Sequence, residues 1–313
     1  MSILDLALQF ISVTEQAAIA SAPFVGKDDK DGADKAATDA MRKALNSMNI
    51  SAKVVIGEGE RDEAPMLFIG EELGLGGEQK IDIAVDPLEG TNLCAANLPG
   101  SICVMALGPE GSLIAAPDTY MDKIVVGKEV SDNISLDNSV KENLKIIAES
   151  YNIPTSEVNV IVLDRERHID LIADLREEGA HVHLISDGDV CAGISAALPH
   201  MKVHALMGIG AAPEGVIKAV AVKGLGGKMR ARFKPQNEEV KQRMINMGIT
   251  DFEKQYTEND LAKGDDLLFV ATGVTSGDIM KGIQIVNNEL HTDSIFISTK
   301  SKQISKLQTV HLR

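Results

Sequence analysis

Two apolar runs in the first third of the chain end abruptly in acidic residues and glycine. The first run covers residues 54–56, and the second covers residues 81–85. Buried strands that lead into functional loops have this pattern. The first loop contains the acids Glu58, Glu60, Asp62 and Glu63, and the second reads Asp86-Pro87-Leu88-Glu89-Gly90-Thr91. The pattern therefore predicts two buried strands, each followed by an acidic loop.

The two acidic loops favour a divalent cation, because hard cations take oxygen ligands and carboxylates at neighbouring strand ends can share one ion. In the second loop Pro87 fixes the backbone φ angle, and Gly90 lets the backbone approach a ligand closely. Thr91 adds a hydroxyl beside the carboxylates. A single acidic cluster is more often a solvated turn, but two clusters at the ends of apolar strands favour the metal site.

The rest of the first half predicts helices first and then largely antiparallel strands. The segment up to Val25 is typical of an amphipathic helix, and a charged loop over residues 26–34 follows it. A second helix is predicted from Asp34 to Met48, with Asp34 as its N-cap. The later predictions are a helix over residues 64–72, a hairpin of residues 101–107 and 112–115, and a strand over residues 121–126.

The second half alternates strand-like and helical segments, which indicates parallel strands with crossover helices. A polar segment at residues 132–138 is predicted to be the linker, and a helix runs from it through Tyr151. We predict an α/β protein with an N-terminal α+β domain (residues 1–155) and a C-terminal α/β domain (residues 156–313), in which residues 292–313 can return to the first sheet. The predicted strands are residues 158–163, 181–185, 203–207, 267–271, 294–298 and 304–310.

Charge and cysteine content argue against several classes of protein. The formal net charge of the 313 residues is −15, and such a surface repels the phosphate backbone of nucleic acids. It would also repel a sugar bisphosphate unless metal ions and local cations reversed the field at the site. No apolar run approaches the roughly 20 residues that cross a bilayer, and the N-terminal segment lacks the basic region of a signal peptide. The three cysteines lack C-x-x-C spacing, which fits a reducing cytoplasm and argues against structural zinc.

Polar groups that suit a phosphorylated sugar follow two predicted strands of the second half. Arg165 and Arg167 come directly after one strand, and a guanidinium can donate two parallel hydrogen bonds to a phosphate. An ordinary basic helix start is the alternative. The turn Asp187-Gly188-Asp189 can cap a helix, accept sugar hydroxyls or bind a metal.

The glycine-rich loop at residues 208–215 matches the dinucleotide-binding pattern G-x-G-x-x-G only in part. Pro213 occupies the place of the third glycine, so the match is weak. The histidines show no H-E-x-x-H spacing, and we predict structural roles for His181, His183, His200 and His204.

The hexapeptide Asp86-Pro87-Leu88-Glu89-Gly90-Thr91 resembles the Asp-Pro-Ile/Leu-Asp/Glu-Gly-Thr/Ser motif of the lithium-sensitive, metal-dependent sugar phosphatases. The longer text, from Ile56 through Leu67 and again from Asp82 to Pro87, resembles class II fructose-1,6-bisphosphatase. The similarity is strongest to the cyanobacterial type, which also acts on sedoheptulose 1,7-bisphosphate. It covers nearly the whole chain, with two departures: Glu166 stands where relatives usually have proline, and Ala211 where some have glycine.

The resemblance implies a layered α-β-α-β-α sandwich and hydrolysis of the 1-phosphate of fructose 1,6-bisphosphate with Mg²⁺ or Mn²⁺. It implies a role in carbohydrate metabolism, in gluconeogenesis or the Calvin cycle, and a homo-oligomer, either a dimer or a tetramer. Thr91, with Asp34 or Asp62, would orient and deprotonate the attacking water. The implied metal ligands are Asp34, Glu58, Asp86, Glu89 and Glu214. The implied substrate-binding residues are Lys30, Glu89, Gly90, Thr91, Tyr120, Arg165, Arg167, Asp187, Gly188, Asp189 and Ala211.

Three alternatives remain at this stage. Sedoheptulose 1,7-bisphosphate can be a second substrate of the same site. The glycine-rich loop leaves open a dinucleotide-dependent dehydrogenase, which would bind NAD(H) and need no metal. A non-catalytic sensor would bind the sugar phosphate without releasing phosphate.

Overall fold

The structure, a computed structural model, describes residues 2–57 and 66–312. The chain divides into two compact units. Unit 1 comprises Met1–Ala115 and Lys263–Arg313, and unit 2 comprises Ala116–Ala262. This division differs from the predicted boundary at residues 155 and 156, since the chain already pairs with the strands of unit 2 from Tyr120 onward. The segment predicted as a linker, residues 132–138, lies within unit 2.

The strands of the described chain, in order, are β1 (Ser51–Ile56), β2 (Glu72–Leu73), β3 (Lys80–Glu89), β4 (Ile102–Pro109), β5 (Tyr120–Val126), β6 (Asn159–Leu163), β7 (His181–Ile185), β8 (Ala205–Ala211), β9 (Lys228–Lys234), β10 (Leu268–Gly273), β11 (Gln284–Val286), β12 (Glu289–Ser298) and β13 (Gln303–His311). The α-helices are α1 (Ala7–Ser21), α2 (Lys30–Leu45), α3 (Thr91–Ala95), α4 (Val140–Tyr151), α5 (Ile169–Glu177), α6 (Asp189–Ala197), α7 (Ala212–Leu225), α8 (Glu238–Asn246) and α9 (Glu258–Leu261). Short 3₁₀ helices cover Ile3–Leu6, Ala22–Phe24, Thr155–Glu157 and Glu166–His168.

Unit 1 contains one sheet of eight strands in the order β11-β12-β10-β4-β3-β1-β2, with β13 paired to β12. The β1–β3 pair is parallel, and the other pairs are antiparallel, as the sequence predicted for this half. The C-terminal strands β12 and β13 do return to this sheet. β10, which the alternating pattern suggested for the second half, lies here as well. Apolar side chains of α1 and α2, among them Phe10, Met41 and Leu45, are fully buried in the core of this unit.

Contrary to the expectation from the sequence, the N-terminal stretch Ile3–Phe24 is long and apolar enough, by length and composition alone, to cross a membrane. Within this protein 56% of its 18-residue apolar window is buried, and α1 contacts β4, β10 and β12. The buried carboxylate of Glu15 accepts a hydrogen bond from the Thr292 hydroxyl at 2.7 Å. These contacts are those of a core helix of unit 1.

The start of α2 lies earlier than predicted. Asp29, not Asp34, is the N-cap, because its carboxylate accepts a hydrogen bond from the Gly32 amide at 2.9 Å. The helix begins at Lys30, so Asp34 lies in the second turn. Part of the predicted charged loop is therefore helical.

Two further predictions for unit 1 were wrong. Residues 66–72 do not form a helix, since Glu72 is drawn into β2, which pairs with β1; residues 64 and 65 lie outside the described part of the chain. Residues 112–115 form no strand, so the predicted hairpin is only a turn at the end of β4. In its place, the Leu113 amide donates to the carboxylate of Asp82 at 3.2 Å.

Unit 2 contains a five-stranded sheet in the order β7-β6-β8-β5-β9. The pairs β6–β7 and β6–β8 are parallel, as predicted, whereas β5 pairs antiparallel with both β8 and β9. β9 was not predicted, because lysines and arginines alternate with its buried residues. The core around β6 is filled from α4 and α5 by side chains such as Leu144 and Leu175, and α6 and α7 contact β5 and β8. The predicted α/β class is confirmed, with one mixed sheet in each unit.

Candidate active site

A β-bulge at the end of β3 places two acids on the same side of the strand. Asp86 pairs with Val104 of β4. Glu89 pairs with Ile102, so three steps along β3 match two steps along β4. Side chains three residues apart on a regular strand point to opposite faces, and the extra residue of a bulge turns them to the same face. Both acids are buried, and a carboxylate oxygen of Asp86 lies within 4.8 Å of one from Glu89.

The loop that follows the bulge adds further oxygen atoms. Gly90 adopts the left-handed conformation, with φ of 76°, and α3 begins directly after it at Thr91. Thr91 Oγ1 donates a hydrogen bond to the Leu88 carbonyl at 2.9 Å, while the Leu88 amide donates to Asp86 Oδ1 at 3.0 Å. Because the hydroxyl proton of Thr91 is committed to Leu88, its oxygen can act as an acceptor for a ligand.

Asp34 presents a buried oxygen from α2. Its Oδ1 atom is shielded from solvent and has no hydrogen-bond partner among the described residues. Burial raises the pKa of Asp34, and the negative charge of Asp31 raises it further. Burial also raises the pKa of the Cys103 thiol in β4, to which the charges of Asp86 and Asp34 add. The charges of Asp34 and Asp86 therefore both reach the Cys103 thiol.

Of the remaining predicted residues of unit 1, Lys30 lies in the described part of the chain. Lys30 is exposed in the first turn of α2. Glu58 and Asp62 lie outside the described part of the chain, together with the rest of the first acidic loop.

In unit 2, three predicted substrate-binding residues meet at one end of the sheet. Tyr120, the first residue of β5, pairs with Ala211, the last residue of β8. Arg167 donates from Nε and Nη2 to the carbonyl oxygen of Ile209, at 3.1 and 3.0 Å. Its guanidinium lies over the Tyr120 ring, 5.1 Å from the ring centroid. The second arginine, Arg165, precedes the 3₁₀ helix Glu166–His168 and is half-buried.

His168 joins the two loops that carry these residues. Its Nδ1 lies 2.7 Å from the Leu163 carbonyl oxygen, and the Ile209 amide donates to its Nε2 at 2.7 Å. These partners require the proton on Nδ1, and burial lowers the pKa of the ring. Gly208 lies against the same ring with φ of 120°, where a Cβ would come 2.9 Å from Nε2.

The two aspartates of the Asp187-Gly188-Asp189 motif, in the turn before α6, differ in burial. Asp187 is half-buried, and its Oδ1 accepts a hydrogen bond from the Gly188 amide at 3.1 Å. Asp189 is buried as the first residue of α6. The two side chains therefore meet different surroundings.

Two buried lysines surround Asp189. Lys123 Nζ and Lys218 Nζ each lie 2.9 Å from Asp189 Oδ2. Lys123 also donates to the carbonyl oxygen of Ala211 at 2.9 Å. Burial alone would raise the pKa of Asp189, but the two ammonium groups hold it well below its usual range.

Glu214 lies in the first turn of α7 and is the acid of unit 2 with the strongest upward shift among the described residues. Burial, and then the charge of Asp189, raise its pKa to about 7, although Lys123 and Lys218 oppose the shift. Its Oε2 has no hydrogen-bond partner within the described chain. A carboxylate in this state gains from a cation, which favours the ionised form.

The glycines of the loop at residues 208–215 make room for side chains of the protein itself. Gly208 accommodates the His168 ring. A Cβ at Gly210 would come 2.6 Å from Asp189 Oδ2 and 2.8 Å from Lys123 Nζ. Since β8 continues to Ala211 and α7 starts directly after it, the glycines do not form the phosphate-binding turn of a dinucleotide fold.

The sequence did not point to three residues of this region. Lys123 and Lys218 each interrupt an apolar run, in β5 and α7 respectively, and a lone lysine in such a run is a signal for a buried ion pair. His168 gave a weaker signal, because nothing in its local sequence shows which carbonyl and amide its ring joins.

The comparisons with known proteins agree with this chemistry. A protein-family model described as bacterial fructose-1,6-bisphosphatase, glpX-encoded, matches residues 4–311. The chain is 45% identical to the D-fructose 1,6-bisphosphatase class 2/sedoheptulose 1,7-bisphosphatase of Thermosynechococcus vestitus, over 98% of this chain and 96% of the relative. It is 44% identical to the proteins of the same description from Trichodesmium erythraeum and Synechococcus elongatus, with the same coverage.

A solved structure, an extragenic suppressor from Pyrococcus furiosus, superposes with a TM-score of 0.32 at 12% identity, over 60% of this chain and 68% of that chain, which is too distant to support an argument. The family match spans both units and includes the bulged acid pair, the Arg167–Tyr120 stack and the Asp187-Gly188-Asp189 turn. The chain therefore belongs to the family of glpX-encoded bacterial fructose-1,6-bisphosphatases.

Proposed function

We propose that the protein hydrolyses the 1-phosphate of fructose 1,6-bisphosphate, giving fructose 6-phosphate and inorganic phosphate. The observation that carries the proposal is the bulge in β3, which sets the buried carboxylates of Asp86 and Glu89 on one side of the strand. A sugar bisphosphate is highly anionic, so a site of buried acids suits it only through bound cations.

The residues fit a divalent cation on the evidence of their donor atoms. All are carboxylate oxygens, which Mg²⁺ and Mn²⁺ prefer, and Asp34 Oδ1 is buried without a hydrogen-bond partner in the described chain. We propose Asp34, Glu58, Asp86, Glu89 and Glu214 as the ligands, with Mg²⁺ or Mn²⁺ as the ion. When bound, the cations would lower the pKa of a water molecule and neutralise charge on the phosphate and the leaving oxygen.

Thr91 is the proposed positioning group for the attacking water. Its hydroxyl proton is directed at the Leu88 carbonyl, so its oxygen can accept a hydrogen bond from water and fix one lone pair toward phosphorus. Asp34 or Asp62 would then take the proton. This division of work assigns orientation to the hydroxyl and proton transfer to a carboxylate.

The phosphate that is not cleaved would bind to the arginines of unit 2. Arg167 is held in place by the Ile209 carbonyl and the Tyr120 ring, and its remaining N–H groups can face a phosphate. Arg165 would be the second donor. Asp187, Gly188, the backbone of Asp189 and Ala211 would complete the sugar site, and Lys30 and Gly90 are proposed as further substrate-binding residues.

Three broader features belong to the same proposal. The names of the relatives in cyanobacteria support sedoheptulose 1,7-bisphosphate as a second substrate. The acidic charge of −15 supports a protein that binds neither nucleic acid nor an anionic membrane surface. We further propose a cytoplasmic homo-oligomer, a dimer or tetramer, acting in carbohydrate metabolism.

Phosphate release from a panel of sugar phosphates, each with Mg²⁺, with Mn²⁺ and with chelator, tests the proposal. We expect release from fructose 1,6-bisphosphate only in the presence of a cation, and little from monophosphates. Binding of substrate without phosphate release would support the sensor instead. Binding of NAD(H), with activity that needs no metal, would support the dehydrogenase.

A further inference from the structure

Two lysines of unit 2 are buried where the proposed reaction assigns them no task. The side chains of Lys123 and Lys218 are 1% and 0% exposed. Both ammonium groups lie 2.9 Å from the same oxygen of Asp189. Well-packed apolar residues usually stabilise a core as well as a buried ion pair does. A cluster with two cations on one acid therefore calls for an explanation beyond packing.

The contacts of Lys123 indicate that the cluster holds several elements of unit 2 together. Besides Asp189, at the start of α6, Lys123 binds the carbonyl oxygen of Ala211 at the end of β8 at 2.9 Å. Lys218 reaches the same Asp189 from α7. The three elements tied together in this way carry the Asp187-Gly188-Asp189 turn, Ala211 and Glu214.

Glycines clear the space that the lysines occupy. A Cβ at Gly193, in α6, would overlap the aliphatic chain of Lys218. A Cβ at Gly210 would come 2.8 Å from Lys123 Nζ, and one at Gly215 would come 2.8 Å from the Met121 sulfur beside Lys123. Glycine inside a helix is less favourable than alanine. Gly193 therefore indicates that space for the Lys218 side chain matters more at this position than the stability of the helix.

We propose that Lys123 and Lys218 are positioning residues for the sugar site. They hold the Asp189 carboxylate as an internal anchor, so that Asp187 and the backbone of the turn, rather than the Asp189 side chain, meet the sugar. Both ammonium groups bind Asp189 Oδ2, and Oδ1 is buried away from solvent, so neither oxygen is placed to meet a sugar hydroxyl. The proposal deepens the proposed function and rests on it for the identity of the ligand.

The sharpest test is Gly193→Ala, which leaves every charged group in place and displaces only the Lys218 side chain. We expect the KM for fructose 1,6-bisphosphate to rise roughly tenfold, with kcat changed much less, because a misplaced turn weakens binding common to ground and transition states. Alanine itself favours the helix, and circular dichroism of the variant checks that its fold is retained. An unchanged KM would overturn the proposal.

Lys218→Met is the second variant, since methionine fills a similar volume without charge. Lys223→Met is the matched control: it lies on the same helix, but its ammonium binds the Ala262 carbonyl at 2.9 Å and not Asp189. We expect a raised KM for the first variant and a KM like that of the parent for the second. Equal effects of both substitutions would assign the result to a general loss of charge and contradict the anchor.

Amide hydrogen exchange over residues 186–190 separates this inference from the proposed function. Exchange there should accelerate in Gly193→Ala and Lys218→Met and remain unchanged in Lys223→Met. Slow exchange in all variants would overturn the anchor. If the parent protein releases no phosphate from any sugar bisphosphate, the proposed function fails, while accelerated exchange in the two variants would still establish the anchor.

Discussion

Asp34 of unit 1 and Asp189 of unit 2 each have a carboxylate oxygen that is shielded from solvent, but the charges that act on them most strongly have opposite signs. The pKa of Asp34 is raised, by burial and by the like charge of Asp31. The pKa of Asp189 is held low by two lysines, despite its burial. The acid with lysine partners is stabilised by the protein itself, whereas the acid beside another acid would gain from a bound cation.

Under the proposed function, this difference separates the structural charge of Asp189 from the metal-binding charge of Asp34. In unit 1, burial of Asp34 beside the like charge of Asp31 is a stability cost that bound metal would remove. In unit 2, Asp189 fixes the position of a turn. Removing a bound cation should therefore destabilise unit 1 most, whereas removing the charge of Asp189 should destabilise unit 2 most.

The largest expected effect comes from taking away the cation. With excess chelator we expect phosphate release to fall to background and the thermal midpoint to drop, because an ion that binds only the folded state stabilises it. Adding back Mg²⁺ or Mn²⁺ should restore both. Full activity in excess chelator would remove the metal from the mechanism.

Thr91 tests whether the acidic region does more than bind metal. Thr91→Ala should lower kcat by roughly 10²–10⁴-fold, since the attacking water loses its orienting hydroxyl. Thr91→Ser should retain much of the activity, and metal affinity, measured by titration calorimetry, should be similar in both. Equal kcat values for alanine and serine would show that Thr91 serves only the turn.

A matched pair of substitutions compares the two acids directly. In metal-free protein Asp189→Asn should destabilise the fold by roughly 3–5 kcal/mol, because it leaves two buried lysines with no anionic partner. Asp34→Asn should instead raise the free energy of unfolding, since it removes a charge that burial disfavours. Chemical denaturation measures the free energy of unfolding of both variants. Destabilisation of equal size in the two would show that Asp34 and Asp189 do not differ in this way.

Glu214 predicts how the stability of the metal-free protein depends on pH. Its pKa is raised from 4.5 to about 7, so the folded state holds a proton in this window that the unfolded state has lost. Stability from this group therefore falls by about 3 kcal/mol as pH rises from 4.5 to 7.

Glu214→Gln isolates that contribution. His168 and His204, whose pKa values burial lowers, act in the opposite sense and lose stability as pH falls below 6.5. The difference in unfolding free energy between parent and variant, measured from pH 5 to 8, cancels their contribution. A difference that does not vary with pH would contradict the raised pKa of Glu214.

The smallest effect is expected at the arginines, because they bind groups that do not react. Arg167→Ala should raise KM roughly 10–100-fold with little change in kcat, the value of a charged hydrogen bond. Arg167→Lys should recover only part, since lysine lacks the fork that binds the Ile209 carbonyl. Arg165→Ala should act in the same direction. An unchanged KM in all three would return both arginines to an ordinary surface role.

Local pattern was enough to predict the parts of the fold that one strand or helix decides by itself. Apolar runs located β3 and β6, and the acids and glycine after β3 pointed to the region where the bulge lies. The bulge itself was not predictable, because it depends on the register with β4. The missed strand β9 reads as polar, since its basic side chains mask the alternation of buried Met229, Ala231 and Phe233.

One missed feature is local: the N-cap of α2 is Asp29 rather than Asp34, although both are acids. The other missed features depend on long-range contacts. Lys123 and Lys218 become partners of Asp189 only when β5, α6 and α7 meet. The boundary at Ala116 was hidden because unit 1 is completed by residues far along the chain.

The split of unit 1 between the two ends of the chain also sets the order of events during protein synthesis. When the ribosome has made residue 262, every residue of unit 2 exists, but β10, which lies between β4 and β12, has not been made. Until then the apolar edge of β4 has no neighbour on that side, and α1 lacks two of the strands that it packs against. The inserted unit can fold as soon as it emerges, whereas the N-terminal segment must wait for the C-terminal strands and is exposed to misassociation in the interval.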